Sequence, residues 1–196
     1  MLVKDLSTRF GVTPDLIRKD LAFLESKGKC KKIYGGAILN RLNVHLEDAN
    51  SRKSVNSKEK QKIAQMAYDL IEPNMTVFLD ISTTNIELAK LLVLRPISGI
   101  TVVTNMLDVI QILSTSQIHS IFIGGEFDYA RNGFVGNMCD EFLQRFHFDL
   151  AFLGVVGIDL ESKSVMTYMP NDGQTKRIVL KQSKKAYMLA DSDKFY

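Results

Sequence analysis

The chain has 196 residues, 45% hydrophobic and 24% charged, so it can bury an ordinary core as one main soluble domain with a small appendage. It lacks both a run of about 18 apolar residues and a signal-peptide pattern, which argues against a membrane span or export and favours the cytoplasm. Its two cysteines, Cys30 and Cys139, lie far apart, and its three histidines lack metal-ligand spacing. We therefore predict no disulfide framework, no metal site and no cofactor.

The net charge of +3 is unevenly distributed along the chain. Residues 1–38 hold eight Lys and Arg against four Asp and Glu, whereas the remainder holds 17 against 18. The basic surplus therefore lies in the first segment, where a polyanionic partner is expected to bind. We predict a first domain over residues 1–38, a polar linker over residues 39–57 and an α/β domain over residues 58–196.

The first segment has the pattern of two short helices joined by a tight turn. One helical face of the first holds Val3, Leu6 and Phe10. Gly11 interrupts this pattern, and Thr13 is a good N-cap for a second helix. The buried stripe of the second helix is predicted at Ile17, Leu21 and Leu24. Its opposite face is predicted at Asp15, Arg18, Lys19 and Ala22.

A basic stretch, "KCKKIYGG", follows this helix and is predicted to form an extended ribbon after Gly28. Two helices and such a ribbon make a winged helix-turn-helix, in which Arg18 would contact a guanine edge and Lys19 a phosphate. The alternative is an amphipathic surface helix with solvated lysines. The coincidence of turn, cap, charge segregation and Gly pair favours double-stranded DNA as the partner. The predicted DNA contacts are Thr13, Asp15, Leu16, Arg18, Lys19, Lys29, Lys31, Lys32 and Tyr34.

The segment "LSTRFGVTPDLIRKDLAFLESKGKCKKIYGGAI" resembles the winged helix of the DeoR-type family of bacterial transcription regulators. Three departures from the family pattern are Leu16 for a usual Thr, Lys19 for a usual Arg and Tyr34 for a usual His. Lys cannot reproduce the bidentate geometry of Arg, so the bases that are read are expected to differ. The resemblance also implies a further helix before Leu2 and further elements after "DSDKF", so we expect a chain shortened at both ends.

Helix and strand patterns alternate through the rest of the chain. Strands are predicted at "MTVFLD", "ITVVT", "SIFIGG", "DLAFLGVVG" and "AYMLAD". Helices are predicted over residues 58–71, 84–92, 106–113, 139–146 and 175–184. This alternation predicts an α/β fold with a mostly parallel sheet and helices on both faces. Ligands of such sheets bind beyond the carboxyl ends of the strands.

Polar residues follow several of these predicted strands. Asp80 ends "MTVFLD", and the hydroxyls of Ser82, Thr83 and Thr84 open the next helix, where a phosphate would bind. Asp80 would accept hydrogen bonds from sugar hydroxyls. Each feature alone is also explained by helix capping or by a turn, whereas the convergent set favours a binding site. The sequence contains neither GxGxxG nor a P-loop motif.

This second region resembles the effector-binding domain of the same family. The matching pieces are "RKSVNSKEKQKIAQMA", "FLDISTT", "TVVTN", "IGGEF", "DLAFLGVVGID", "TKR" and "LADSDKF". The resemblance implies a fold related to sugar-phosphate isomerases and the sensing of a phosphorylated sugar. The pocket residues that it implies are Asp80, Ser82, Thr83, Thr84, Thr104, Asn105, Gly124, Gly125, Lys176 and Lys194.

Three hypotheses about function follow from the sequence. The first is a DNA-binding regulator, a homo-oligomeric repressor of sugar-metabolism genes that responds to a phosphorylated sugar. The second is a sugar-phosphate isomerase-like enzyme with Asp80 or Glu126 as its base, although a basic winged helix has no use in an isomerase. The third is a sensing and dimerisation module that has lost DNA binding. We predict a regulator and not an enzyme.

Overall fold

The structure, a computed structural model, describes residues 1–26, 30–39 and 49–195, and the chain divides into two compact units, Met1–His45 and Leu46–Tyr196. The first unit contains α1 (Val3–Phe10), α2 (Pro14–Ser26), β1 (Cys30–Ile33) and β2 (Gly36–Leu39). Gly11 ends α1 with φ 64°, and the Thr13 hydroxyl accepts from the Leu16 N–H at 3.4 Å. The predicted turn and N-cap are thus confirmed.

The small core of the first unit uses only part of each predicted stripe. Its buried members are Val3, Ile17, Leu21, Cys30 and Ala37. One prediction was wrong, because Leu24, predicted in the buried stripe of α2, is 39% exposed; Phe10, on the predicted face of α1, is 63% exposed. Phe10 is the last residue of α1, and Leu24 lies near the end of α2, so both lie beyond the core that β1 and β2 close.

Strands β1 and β2 pair antiparallel and form the predicted basic ribbon. Gly35 at the turn has φ 76°, a conformation that favours glycine. The Lys32 N–H donates to Glu25 Oε1 at 2.7 Å, which ties the ribbon to α2. Gly28, predicted to end α2, lies outside the described residues.

The second unit is an α/β domain. Its helices are α3 (Ala49–Lys53), α4 (Ser57–Tyr68), α5 (Thr83–Leu94), α6 (Leu107–Leu113), α7 (Asn137–Leu143) and α8 (Pro170–Gln182). Its main strands are β3 (Thr76–Leu79), β4 (Thr101–Thr104), β5 (His119–Phe122), β8 (Phe148–Gly154) and β11 (Ser183–Leu189). These five strands form a parallel sheet in the order β11-β8-β3-β4-β5, which confirms the predicted fold class.

Helices cover both faces of this sheet because successive strand residues point in opposite directions. On β3, Val77 and Leu79 pack into one core cluster with α4, α5 and α6. Phe78, which lies between them, packs into the other cluster with α7 and α8. Burial on both faces explains why these strands are continuous apolar runs in the sequence.

Two short hairpins were not predicted from the sequence. They are β6 (Glu126–Asp128) with β7 (Gly133–Val135), and β9 (Gly157–Asp159) with β10 (Ser164–Met166). The first lies at the carboxyl end of β4, where the Phe134 N–H donates to the Asn105 carbonyl at 2.8 Å. Helix α3 lies within the predicted linker, and a 3-10 turn, Ser192–Lys194, follows β11. None of the described helices is long and apolar enough to cross a bilayer.

Candidate functional site

The outer face of α2 is exposed, as the sequence predicted. Asp15, Leu16, Arg18 and Lys19 are all exposed, and the Arg18 guanidinium donates to the Asp15 carboxylate one turn earlier. Both members of this ion pair lie in solvent, so the pair contributes little to stability. The pair places the Arg18 guanidinium beside Asp15 on the exposed face of α2.

The exposed positions of the β1–β2 ribbon carry further basic and aromatic side chains. Lys31 and Lys32 are exposed, and Tyr34 is 104% exposed at the turn. Lys29 lies outside the described residues. Thr13 already uses its hydroxyl oxygen as the N-cap of α2. The first unit therefore displays Arg18 and Lys19 on its helix and Lys31, Lys32 and Tyr34 on its ribbon.

The turn from β3 into α5 lies at the carboxyl edge of the sheet. Ser82 caps α5, because its hydroxyl accepts from the Thr84 N–H at 3.2 Å. Thr83 and Thr84 are buried in the first turn of the helix. A Cβ on Gly154, at the end of β8, would lie 2.6 Å from the Ser82 Cβ. Only glycine therefore lets β8 approach this turn so closely.

A buried charge cluster lies at the same edge and consists of Asp80, Asp172 and Lys176; we call it the Asp80 cluster. The Lys176 Nζ lies 2.9 Å from Asp80 Oδ2 and also donates to Asp172 Oδ1. Asp80 Oδ2 accepts in addition from the Gly154 N–H at 3.1 Å. Asp80 Oδ1 accepts no hydrogen bond from any described side chain. The edge thus holds one shared ammonium group and one buried carboxylate oxygen that lacks a hydrogen-bond partner among the described residues.

Burial shifts the ionisation of this cluster. Burial raises the pKa of Asp80, and the neighbouring Lys176 only partly offsets that rise. Burial opposes the charge of Lys176, but the carboxylates of Asp80 and Asp172 outweigh burial and raise the pKa of the ammonium group. Lys176 is therefore charged at neutral pH, and the two carboxylates share its charge.

Other predicted pocket residues hold the backbone at this edge. The Thr104 hydroxyl donates to the Leu79 carbonyl at 2.7 Å and accepts from the Met106 N–H at 3.1 Å. The Asn105 amide donates to the Phe134 carbonyl at 2.8 Å. Both side chains are fully buried, so they shape the edge rather than line open space.

The remaining predicted residues are less closely tied to the Asp80 cluster. A Cβ on Gly125 would lie 2.7 Å from the Val135 carbonyl, whereas one on Gly124 would meet nothing within 4 Å. Lys194 lies in the 3-10 turn after β11, where its charge acts on Lys60. Glu126, the alternative catalytic base, is exposed at the start of β6.

Four residues at this edge were not predicted from the sequence. Asp172 could have been predicted, because it precedes Lys176 by four residues on one helix. A ring and two guanidinium groups pack together nearby: the guanidinium carbons of Arg131 and Arg52 lie 4.4 Å and 4.8 Å from the Tyr168 ring centroid. We call these three residues the Tyr168 cluster. No local pattern predicts it, since its members come from three distant segments.

Lys60, on α4, was also not predicted from the sequence. Its Nζ donates to the carbonyls of Arg52 and Val55, the latter at 2.6 Å, and burial lowers the pKa of Lys60. Within residues 1–26, 30–39 and 49–195, no three His, Cys, Asp or Glu side chains are grouped as metal ligands would be.

Comparisons with known proteins match both units. The family model described as "DeoR C terminal sensor domain" matches residues 55–196, and the one described as "DeoR-like helix-turn-helix domain" matches residues 1–42. A putative aga operon transcriptional repressor of Escherichia coli O157:H7 is 34% identical over 98% of this chain and 72% of its own length. The glycerol-3-phosphate regulon repressor of Escherichia coli K12 is 30% identical over 98% of this chain and 75% of its own length.

A solved structure gives the same fold for the second unit. Ribose 5-phosphate isomerase A from Methanocaldococcus jannaschii matches with a TM-score of 0.53 at 16% identity, over 72% of this chain and 55% of that protein. At that identity the likeness concerns the fold alone. It agrees with the parallel sheet and its covering helices.

Proposed function

Because this chain belongs to the DeoR family of transcription regulators, we propose that it binds operator DNA through α2 and the β1–β2 ribbon and releases it in response to a phosphorylated sugar. The observation that carries the proposal is that one chain holds both an exposed basic helix face and a buried charge cluster beside a helix N-terminus. We propose residues 1–38 as the DNA-binding domain, 39–57 as the linker and 58–196 as the sensor domain.

The DNA half of the proposal rests on α2. Its N-terminal turns present Asp15, Leu16, Arg18 and Lys19, and its other side is buried in the core of the first unit. An α-helix fits the major groove, where arginine forms bidentate hydrogen bonds with guanine. We propose that Arg18 reads a base, and that Lys19, Lys31 and Lys32 contact phosphates.

The effector half rests on the carboxyl edge of the sheet. The first N–H groups of α5 have no carbonyl partner within the helix, and that of Thr84 donates to the Ser82 hydroxyl. A helix N-terminus of this kind favours a phosphate. We propose that the phosphate binds there, and that Asp80 Oδ1 accepts from a sugar hydroxyl. The names of the relatives, which include a lactose phosphotransferase system repressor, support a sugar-derived effector.

We further propose a cytoplasmic homo-oligomer that represses its target genes. Helix-turn-helix proteins commonly read two half-sites as symmetric dimers, one half-site for each recognition helix. Several relatives are named repressors, whereas one is named an L-fucose operon activator. Light scattering of the chain with and without DNA tests the oligomer. Transcription from a promoter that carries the DNA sequence bound by the chain tests the sign of regulation.

Two measurements test the function itself. Selection of duplexes from a random library with the full chain, followed by titration at several salt concentrations, tests the DNA half. Thermal shift with glycerol 3-phosphate, D-galactose 6-phosphate and D-glucose 6-phosphate, each beside its unphosphorylated form, tests the effector half, because a ligand of the native state raises the melting temperature. Selection of no duplex would contradict the DNA half. Equal shifts by both forms of each sugar would contradict the phosphate site.

Replacing both Lys31 and Lys32 with Ala should weaken binding to all duplexes alike. Both side chains are exposed on the ribbon, so we expect the slope of log affinity against log salt to fall by about one unit for each lost phosphate contact. Titrations at four salt concentrations measure the slope. Replacing the exposed Lys163 with Ala, in the second unit, is the control. A slope equal to that of the parent would exclude the ribbon from the interface.

Replacing Thr83 and Thr84 with Val should lower phosphosugar affinity by about 1 to 3 kcal/mol, because two hydroxyl donors are lost while the shape is nearly kept. Both side chains are buried, and valine nearly keeps the shape of threonine, so we expect the fold to survive. Calorimetry measures the loss with whichever of the three phosphorylated compounds raises the melting temperature most. Thr115→Val, after α6, is the control. Undiminished affinity would leave the turn as an ordinary helix cap.

A further inference from the structure

Helix α3 (Ala49–Lys53) is the first described element after residue 39, so it stands where the chain enters the second unit. Two neighbouring side chains hold it there. The Lys53 Nζ lies 2.7 Å from Asp108 on α6, and Arg52 donates to the Tyr168 hydroxyl. From α4, Lys60 donates to the carbonyl of Arg52. Among the described side chains, these polar contacts fix α3 to the second unit.

Tyr168 connects α3 to the Asp80 cluster. Its backbone N–H donates to Asp172 Oδ2 at 3.2 Å, and its side chain is 8% exposed. The other oxygen of Asp172 accepts from Lys176, whose Nζ also binds Asp80. The contacts are thus continuous from Asp80, through Lys176, Asp172 and Tyr168, to Arg52.

We propose that this series of contacts transmits the effect of effector binding at the Ser82 turn to helix α3. The Arg52–Tyr168 contact is the last contact of the series before the linker. The inference rests on the proposed effector site and names its regulation. A phosphosugar at the Ser82 turn offers Lys176 a new anionic partner. Lys176 then withdraws from Asp172, and Asp172 no longer fixes the Tyr168 backbone. The ring shifts, and Arg52 moves with it.

The chain offers a matched control for this route. Lys53 lies beside Arg52 on the same helix and also fixes α3, but its partner Asp108 belongs to α6 and not to the Asp80 cluster. The Lys53→Gln variant therefore tests whether weakening any contact of α3 produces the effect. The Arg52→Met variant tests the proposed series of contacts.

A double-mutant cycle in the full chain tests the inference without any effector. Ser51→Cys places a spin label on an exposed position of α3, and the native Cys30 and Cys139 are both buried. We expect Asp172→Ala to mobilise the label in the parent and in the Lys53→Gln background, and to have no further effect in the Arg52→Met background. Tyr168→Phe, which removes the hydroxyl acceptor but keeps the ring beside Arg52, should mobilise the label less than Arg52→Met does.

The same variants are titrated with the selected duplex. Asp172→Ala should change DNA affinity by about fivefold or more in the parent, the usual scale of coupling between sites, and by less than about twofold in the Arg52→Met background. If Asp172→Ala does not fold, Asp172→Asn takes its place, because it keeps the size and an acceptor while removing the charge that holds Lys176.

An immobile label after Asp172→Ala would overturn the inference. So would an equal effect of Asp172→Ala in the Arg52→Met and parent backgrounds, or loss of its effect in the Lys53→Gln background. Failure to bind any duplex would contradict the proposed function, and the label would still decide whether the contacts connect the Asp80 cluster to α3.

Discussion

Replacing Lys176 with Met should lower the free energy of unfolding by about 3 to 5 kcal/mol, the usual cost of removing one partner from a buried ion pair. In the native chain the Lys176 ammonium lies between the carboxylates of Asp80 and Asp172, and all three side chains are nearly fully buried. The methionine variant would leave both buried carboxyl groups without their cation. The apolar gain from methionine is small beside that cost.

The effect should depend on pH. Burial raises the pKa of Asp80 above its ordinary 3.8, so the folded chain binds this proton more readily than the unfolded chain does. Stability from Asp80 is therefore greatest below the unfolded pKa and is lost as pH rises through the folded value. Without Lys176 the pKa of this carboxyl rises further. We expect the destabilisation to be larger at about pH 7 than at about pH 5.

Urea denaturation at the two pH values measures both effects. Lys181→Met is the matched control, because Lys181 is exposed on the same helix, and its midpoint should stay close to that of the parent. Combining Lys176→Met with Asp80→Asn should restore part of the lost stability, since one of the two charges is then removed. A Lys176→Met midpoint equal to that of Lys181→Met would show that the ion pair contributes nothing.

The sheet was predictable from the sequence because its strands are mostly apolar runs of four or more residues, such as β3 (Thr76–Leu79). The hairpins were missed because β6, β7, β9 and β10 have three residues each, too few for a period to be recognised. The burial of Leu24 was predicted wrongly for a related reason. Helical spacing gives the direction of a side chain, but it does not tell how far the core extends along the helix.

The effector edge was predicted only in part. Asp80 and Lys176 were both expected there, but their ion pair joins residues 96 positions apart, and no spacing rule reports such a contact. Thr104 and Asn105 were expected to line or shape the pocket, and their side chains hydrogen-bond to backbone carbonyls at this edge. A polar residue at a strand end thus indicates the edge, whereas its role depends on neighbours that only the fold brings close.

Replacing Arg18 with Ala should weaken binding to the selected duplex by about 1 to 3 kcal/mol and relax the preference at one base pair. Arg18 is exposed on the outer face of α2, where its ion pair with Asp15 orients the guanidinium. A bidentate contact with guanine would be lost, and the hydrogen-bonding edge of that base would be left without a partner. Stability of the fold should not change, because both residues of the pair lie in solvent.

Arg18→Lys separates base reading from phosphate binding, because it keeps the charge but loses the planar fork. If Arg18 reads guanine, the lysine variant should lose the base preference nearly as fully as the alanine variant, while its salt slope stays close to that of the parent. Titration against the selected duplex and its single-base variants measures both quantities. A lysine variant that keeps the parent's preference would assign Arg18 to a phosphate. Unchanged affinity of the alanine variant for every duplex would remove Arg18 from the interface.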